Sequence, residues 1–292
     1  MTEQSPLVSV LVRTVDRPRY LAECLASIAE QTWPELEAVV VADGGPDVRD
    51  LIESFEGKLS ITYVHNGRAR GRSAAANLAA RRAHGQLIAY LDDDDVFYPE
   101  HVATLVRALL DNPVAHVAYA DAYEALQEPS TDSPTGYATV SKRVRYSVDF
   151  EPWELLLQNH VPNLCLVHRR GCLPKVGWFD EKLDVLEDWD LLIRLALHTP
   201  FVHVKAVTAE YRIRTDDTNT ITARRKDLEG IVSEVRSKYR DVKVPLPAST
   251  LYEVLDLRAQ VDRLRRMRGR LPHVRLVRRY PRLRSLARRV RG

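Results

Sequence analysis

Cysteine is scarce in this chain. Cys24, Cys165 and Cys172 are the only three in 292 residues, and they are scattered without metal-ligand spacing. A disulfide framework is excluded, and the thiols are expected to be reduced, as in a cytoplasmic protein. Long hydrophobic runs are also missing: no apolar stretch reaches the roughly 18 residues of a membrane span. The opening MTEQSPLVSV has no basic segment, so a secretory signal is not expected. No internal repeat is visible. Acidic residues stop at Asp262, and residues 263–292 carry 13 arginines. The remaining 30 basic residues face 40 acidic ones, so the body carries a net charge near −10 and the tail +13. Otherwise 45% hydrophobic and 28% charged residues are ordinary for one large α/β domain or two smaller halves.

Strand-like and helix-like segments alternate through the first half. LVSVLVRT (7–14), LEAVVVAD (36–43), SITYVHN (60–66), QLIAYL (86–91) and AHVAYAD (115–121) read as strands. Helical patterns at 17–31, 47–55, 72–84 and 99–111 separate them. Continuous apolar strands between amphipathic helices specify an α/β fold with a mostly parallel central sheet covered by helices on both faces. From about Glu124 the character changes. QEPSTDSPTGYATVSK (127–142) is rich in Pro, Ser and Thr and predicts a mobile surface loop. A helix at 152–158, the strand LCLVHR (164–169), the turn GWFDE (177–181), the helix EDWDLLIRLALH (187–198) and the strand FVHVKAVTAEYRI (201–213) follow. Val254, Leu257, Val261 and Leu264 keep heptad spacing too briefly for a coiled coil.

In open parallel sheets, ligands bind beyond the carboxyl ends of the strands. Polar clusters occupy that position here: Arg13, Thr14 and Asp16, then Asp43 with Gly44 and Gly45, then Asn66 to Ser73, then Asp92 to Asp95. Four adjacent carboxylates between apolar flanks repel one another, and a bound cation would offset this. Alternation along an extended backbone puts Asp92 and Asp94 on one face and Asp93 and Asp95 on the other. Such a DxD pair suits a hard divalent cation, Mg²⁺ or Mn²⁺, which often takes one or two carboxylates plus substrate phosphates. The alternative is a solvated acidic turn ahead of Pro99. HNGRARGRSAAAN (65–77), which includes Arg72, precedes a helix whose N-terminus favours a diphosphate. Glu187, Asp188 and Asp190 form a second acidic cluster. Acids at a helix start also serve as caps, and a general base must lie within hydrogen-bond reach of its hydroxyl.

Taken together, these segments resemble the family 2 glycosyltransferases with a GT-A fold. VSVLVRTVDRPRYLAECLASIAEQTWPELEAVVVADGG resembles the family's opening strand, first helix and second strand. RGRSAAANLAARRAHGQLIAYLDDDDVFYPEHV resembles the stretch leading into its DxD motif, and HVPNLCLVHRRGCLPKVGWFDEKLDVLEDWDLLIRLA resembles its acceptor-side segment with the GxFDE turn and ED motif. The resemblance covers roughly residues 7–215. It implies inverting transfer of a sugar from a nucleotide-diphosphate donor to a glycan or lipid-linked acceptor hydroxyl, in cell-surface polysaccharide or glycolipid biosynthesis. On that reading Thr14, Asp16, Asp43, Arg72 and Asp92 lie at the nucleotide, and Asp94 with Asp92 holds the metal. Asp188 takes the acceptor proton with Glu187 orienting it, while Arg212, Arg214 and Trp189 face the diphosphate or acceptor. Three departures bear on the choice of base and sugar. Ala42 stands where many relatives have Asp or Asn, Val15 where Tyr is frequent, and Arg214 where many place a histidine.

The implied organisation is a nucleotide-sugar half (1–122), an acceptor half (123–246) and a helical, Arg-rich C-terminal extension (247–292). From Pro281, Leu283, Leu286, Ala287 and Val290 share one helical face flanked by arginines. That pattern predicts peripheral binding to an anionic membrane surface on the cytoplasmic side, with docking on the acidic body as the alternative and no specific nucleic acid. Two other functions remain open on sequence: a haloacid-dehalogenase-like phosphotransferase using Asp92, and a catalytically lapsed nucleotide-sugar-binding protein.

Overall fold

The apolar runs of the first half become strands, and all but the edge strand at 60–66 are buried on both faces. A computed structural model describes residues 5–145, 147–183, 185–216, 228–245 and 248–268. In it β1 (Val8–Thr14), β2 (Leu36–Asp43), β3 (Ser60–Asn66) and β4 (Leu87–Asp92) form the parallel block β3-β2-β1-β4. Val8, Val10, Val12, Val39, Val40, Ile88 and Ala89 are completely buried, as strands covered on both faces require. The crossovers are α1 (Pro18–Ala29), α2 (Arg49–Glu53) and α3 (Arg72–Arg82). Pro18 opens α1, where its missing N–H is harmless, and Leu21, Cys24, Leu25 and Ile28 turn into the core. Ala75, Ala76, Ala79 and Ala80 are the buried stripe of α3; their small side chains let the helix lie close on the sheet.

The second half adds β5 (Val96–Phe97), α4 (His101–Asp111), β6 (Val117–Pro129), β7 (Tyr137–Val144), α5 (Pro152–Leu157), β8 (Leu166–Arg169), α6 (Leu173–Val176), α7 (Glu187–His198), β9 (Phe201–Arg214) and α8 (Leu228–Lys238). The sheet continues from β4 as β8-β6-β9-β5, with β7 branching from β6. β8 runs antiparallel to β4 and β6, whereas β6 and β9 are parallel. The α/β architecture is as expected, and every antiparallel pair includes a strand of the second half.

The reading of 127–142 as a mobile loop is corrected. β6 and β7 form a hairpin, paired from Tyr123 with Val144 to Pro129 with Tyr137. The turn-forming composition is real but confined to 130–136, where Ser130 N–H donates to Gly136 O (2.8 Å) and Gly136 has a φ of +82°. Almost every β7 side chain is exposed, so the strand carries no apolar alternation to read. Its order comes from the ladder, from Arg143 and Arg145 on Glu124, and from the Tyr137 hydroxyl on Asp216.

Two compact units divide the chain, Met1–Val242 and Lys243–Gly292. The second contains α9 (Ala248–Arg268). The amphipathic pattern from Pro281 lies outside the described residues. Among those described, no helix is long and apolar enough to cross a membrane.

Candidate active site

Strand register assembles the site. Arg13 stands opposite Asp92 in the β1–β4 pairing. Its guanidinium donates to Asp92 Oδ1 from Nη2 (2.8 Å) and to Glu187 Oε1 from Nη1 (2.7 Å). Arg72, the first residue of α3, reaches the same carboxylates at 3.3 Å (Glu187) and 3.5 Å (Asp92). The approach to α7 is stitched to α3: Ser73 Oγ donates to Leu183 O (2.9 Å), and Asn77 exchanges hydrogen bonds with the Phe179 backbone (3.0 and 2.9 Å). Arg194 then ties α7 to the same turn through Val176 O (2.8 Å) and Gly177 O (2.7 Å) while pairing with Asp190 (2.8 Å). Asp190 also accepts the Tyr239 hydroxyl (2.7 Å) and pairs with Lys238 (2.5 Å), so the third acid of this cluster is an anchor of the fold.

The aspartate run does not continue as a strand. The chain turns after Asp92, with Asp95 N–H donating to Asp92 O (3.1 Å). Asp93 and Asp95 are 5% and 3% exposed, and Asp95 accepts the Arg212 N–H (2.8 Å). Asp94 Oδ2 accepts from Arg17 (3.1 Å) and from Arg214 (2.5 Å), whose guanidinium packs over the rings of Tyr20 and Tyr137. Guanidiniums from four separate segments therefore answer the repulsion within the run. Burial would raise the Asp92 carboxyl, but Arg13 and Arg72 outweigh it and hold it at about 2. Burial, with the Asp94 charge added, pushes Asp93 up to about 7 and Asp95 well above the usual range.

Asp188, the second residue of α7, is half-buried. Its Oδ1 accepts the Trp189 N–H (2.8 Å) and its Oδ2 accepts Asn159 Nδ2 (3.4 Å). Burial, then the charge of Glu187, raises it to about 6 against the pull of the Trp189 N–H and Arg72. A carboxylate that ionises just below neutrality is suited to take a proton. Leu186 and Asp16 have φ of +62° and +49°, the two non-glycine residues in left-handed backbone among those described. Both border this site, and such backbone costs about 1–3 kcal/mol each.

Other expected residues are placed as follows. Thr14 is buried at the end of β1, and Asp16 is exposed in the turn after it, against Gly45. Asp43 accepts Asn66 Nδ2, Arg70 N–H and Gly71 N–H (each 2.9 Å), so its oxygens shape the Arg-rich loop. Three expectations do not match the geometry. Glu187 bonds to Arg13 and Arg72, and its effect on Asp188 is through charge. Arg212 is held by Glu23 (2.8 and 3.0 Å) and Glu210 (3.3 Å), which commits its guanidinium to the fold. Trp189 is 2% exposed and donates Nε1 to Leu155 O (2.6 Å), so it stands behind the site. Arg17 and Asn159 were missed in the sequence, and Arg13 was noted there only as part of a polar cluster. Each acts through a partner that is distant in the chain.

The donor set fits a divalent cation that arrives with its ligand. Among the described residues no three acidic, histidine or cysteine side chains form a cage. Both guanidiniums on Asp94 take Oδ2, which leaves Oδ1 for a metal. One or two carboxylates completed by phosphate oxygens is a common way to hold Mg²⁺.

Solved glycosyltransferases share this architecture. S. aureus TarS 1–349 in complex with UDP-GlcNAc is similar with a TM-score of 0.63 at 18% identity, over 82% of this chain and 68% of that one. The mannosyltransferase PcManGT from Pyrobaculum calidifontis, in complex with GDP-Man and Mn²⁺, is similar with a TM-score of 0.54 at 17% identity, over 88% and 81%. The fold is that of the GT-A glycosyltransferases. Residues 9–153 match glycosyl transferase family 2. A PGL/p-HBAD biosynthesis glycosyltransferase of Mycobacterium bovis is 27% identical over 223 residues, which cover 74% of this chain and 81% of that one. The chain belongs to glycosyltransferase family 2. The phosphotransferase reading of Asp92 has no support in this fold, and both Asp92 oxygens are engaged by arginine.

Proposed function

We propose that the protein transfers a hexosyl or deoxyhexosyl group, with inversion, from a nucleotide-diphosphate sugar to an acceptor hydroxyl, and that Asp188 is the general base. One observation carries this reading. Of Asp92, Asp94 and Asp188, the partly exposed carboxylates of the two acidic clusters, only Asp188 has no guanidinium upon it among the described residues. In the reaction, the acceptor hydroxyl gives its proton to Asp188 as its oxygen bonds to the anomeric carbon. The bond from that carbon to the diphosphate breaks on the opposite face, and the electron pair leaves with the nucleotide. Arg72, Arg17 and Arg214 border the place where that negative charge develops, which is where preorganised cations contribute most. Mg²⁺ or Mn²⁺, held by Asp94 with Asp92 beside it, would supply Lewis-acid stabilisation of the departing diphosphate.

Thr14, Asp16 and Asp43 line the nucleotide side in this reading. UDP-GlcNAc in TarS and GDP-Man in PcManGT support a sugar-nucleotide donor here. The acceptor in this reading is a glycan or lipid-linked hydroxyl reached from the cytoplasmic face of a membrane, in surface polysaccharide or glycolipid assembly; a relative named for PGL/p-HBAD biosynthesis supports the biosynthetic role alone. A thermal-shift panel of UDP-, GDP-, dTDP- and CMP-sugars with and without Mn²⁺ tests the donor. One nucleotide class should raise the melting temperature, because a ligand bound only to the native state stabilises it in proportion to its affinity. No shift with any donor would count against the reading.

A further inference from the structure

Arg13 has no role in the chemistry above, yet it makes the shortest polar contacts between the two acidic clusters. It is the penultimate residue of β1, beside the strand that delivers Asp92, and Glu187 lies 174 residues further along the chain. The two arms of its guanidinium each bind a different carboxylate, at 2.8 and 2.7 Å, and Nη1 also donates to Arg72 O at 3.4 Å. Arg72 makes longer, more exposed versions of the same contacts, with a side chain 40% exposed against 12% for Arg13. We propose that Arg13 is a positioning residue, a two-armed clamp that fixes the base-bearing first turn of α7 to the donor-side carboxylate Asp92.

Asp188 follows Glu187 directly, so the grip on Glu187 sets where the Asp188 carboxylate stands relative to the donor. Leu186, in left-handed backbone, gives the chain its turn into α7 just before this grip. A single planar fork matches two carboxylates at once, which an ammonium on a flexible stem does not reproduce. The rest of α7 has independent anchors in Arg194, Asp190 and Tyr239, so the fold does not depend on Arg13 alone. Positioning at this level matters because small displacements of a base from its hydroxyl cost large factors in rate.

The proposal rests on the transferase reading, and Arg13→Lys with Glu187→Gln tests it. Once the wild-type donor and acceptor are known, each variant and the double variant are assayed for kcat, acceptor KM and nucleotide Kd, with a melting curve confirming folding. Arg13→Lys keeps the charge and loses the fork. It should lower kcat at least tenfold while KM and Kd stay within about threefold, and the double variant should be no slower than the worse single by more than about twofold. Equal kcat in Arg13→Lys, a loss confined to KM or Kd, or losses that multiply in the double variant would each overturn the clamp. If Arg13→Lys does not fold, Arg13 is a fold residue and the proposal fails. A wild-type protein that moves no sugar overturns the transferase reading and the clamp with it. That result is distinct from an active wild type with an equally active Arg13→Lys.

Discussion

The two acidic clusters solve one electrostatic problem in opposite ways. At the end of β4, each site-facing carboxylate is matched by two guanidiniums: Arg13 and Arg72 on Asp92, Arg17 and Arg214 on Asp94. At the start of α7 the matching is unequal: among the described residues two guanidiniums lie on Glu187 and none on Asp188. Neutralised carboxylates stay ionised and present negative oxygens to a cation or to hydroxyls. An unmatched one, half-buried next to a charged neighbour, holds its proton more tightly, which suits the proposed base. Asp92 at about 2 and Asp188 at about 6 express this difference between groups of the same chemistry.

Removing the unmatched group should have the largest effect. Asp188→Asn is expected to lower turnover by about 10²–10⁴, the usual contribution of general base catalysis. Nucleotide affinity by calorimetry should stay within about threefold. The same variant tests the cause of the raised pKa. Because the native pKa lies above the unfolded one, the ionised form opposes folding, and stability declines as pH rises from about 4 to about 6. Asp188→Asn should therefore melt above wild type at pH 8, and the gap should close toward pH 4. Unchanged turnover, or a variant that melts lower at pH 8, would end the contrast between the clusters.

Within the matched cluster, Asp94→Asn should abolish the Mn²⁺-dependent part of the nucleotide thermal shift and weaken donor binding by at least about tenfold, a little over 1.4 kcal/mol. Asp93→Asn should leave the metal response in place, since Asp93 is buried beneath the turn. The reverse ranking would mean that the wrong oxygens have been assigned to the cation.

The smallest effect is expected at Asn159. The wild-type acidic limb of kcat should fall near pH 6, where Asp188 titrates. Asn159 donates to Asp188 through a long bond of 3.4 Å and favours the ionised form. Asn159→Ala should lower kcat only a few-fold and move that limb upward by a few tenths of a pH unit, consistent with a bond worth about 1 kcal/mol or less. A limb near pH 4 in the wild type would show that Asp188 is matched after all.

How much of this could be read in advance depended on the range over which each feature is encoded. LEAVVVAD, SITYVHN and EDWDLLIRLALH became β2, β3 and α7 with unchanged bounds, because apolar periodicity is local and strong. The pairing of Arg13 with Asp92 needs the register of two strands, and that of Arg212 with Glu23 joins residues 189 apart, so neither leaves a local signature. The aspartate run is intermediate. Alternation put Asp92 and Asp94 on one face and Asp93 and Asp95 on the other; in the structure the first two are half-buried and the second two buried, through a tight turn in place of an extended strand. Trp189, expected at the diphosphate or acceptor, is 2% exposed with its Nε1 on Leu155 O, and such burial is invisible without the packing.

The β6–β7 hairpin has one further consequence. Its tip at 131–134 is largely in solvent, while Tyr137, the first residue of β7 after the turn, lies against Arg214, a partner of Asp94. A fluorophore on that tip would sit only a few residues from Tyr137, whose ring packs on the guanidinium that holds Asp94. The hairpin thus offers a solvent-exposed handle from which the surroundings of the acidic turn can be watched from outside.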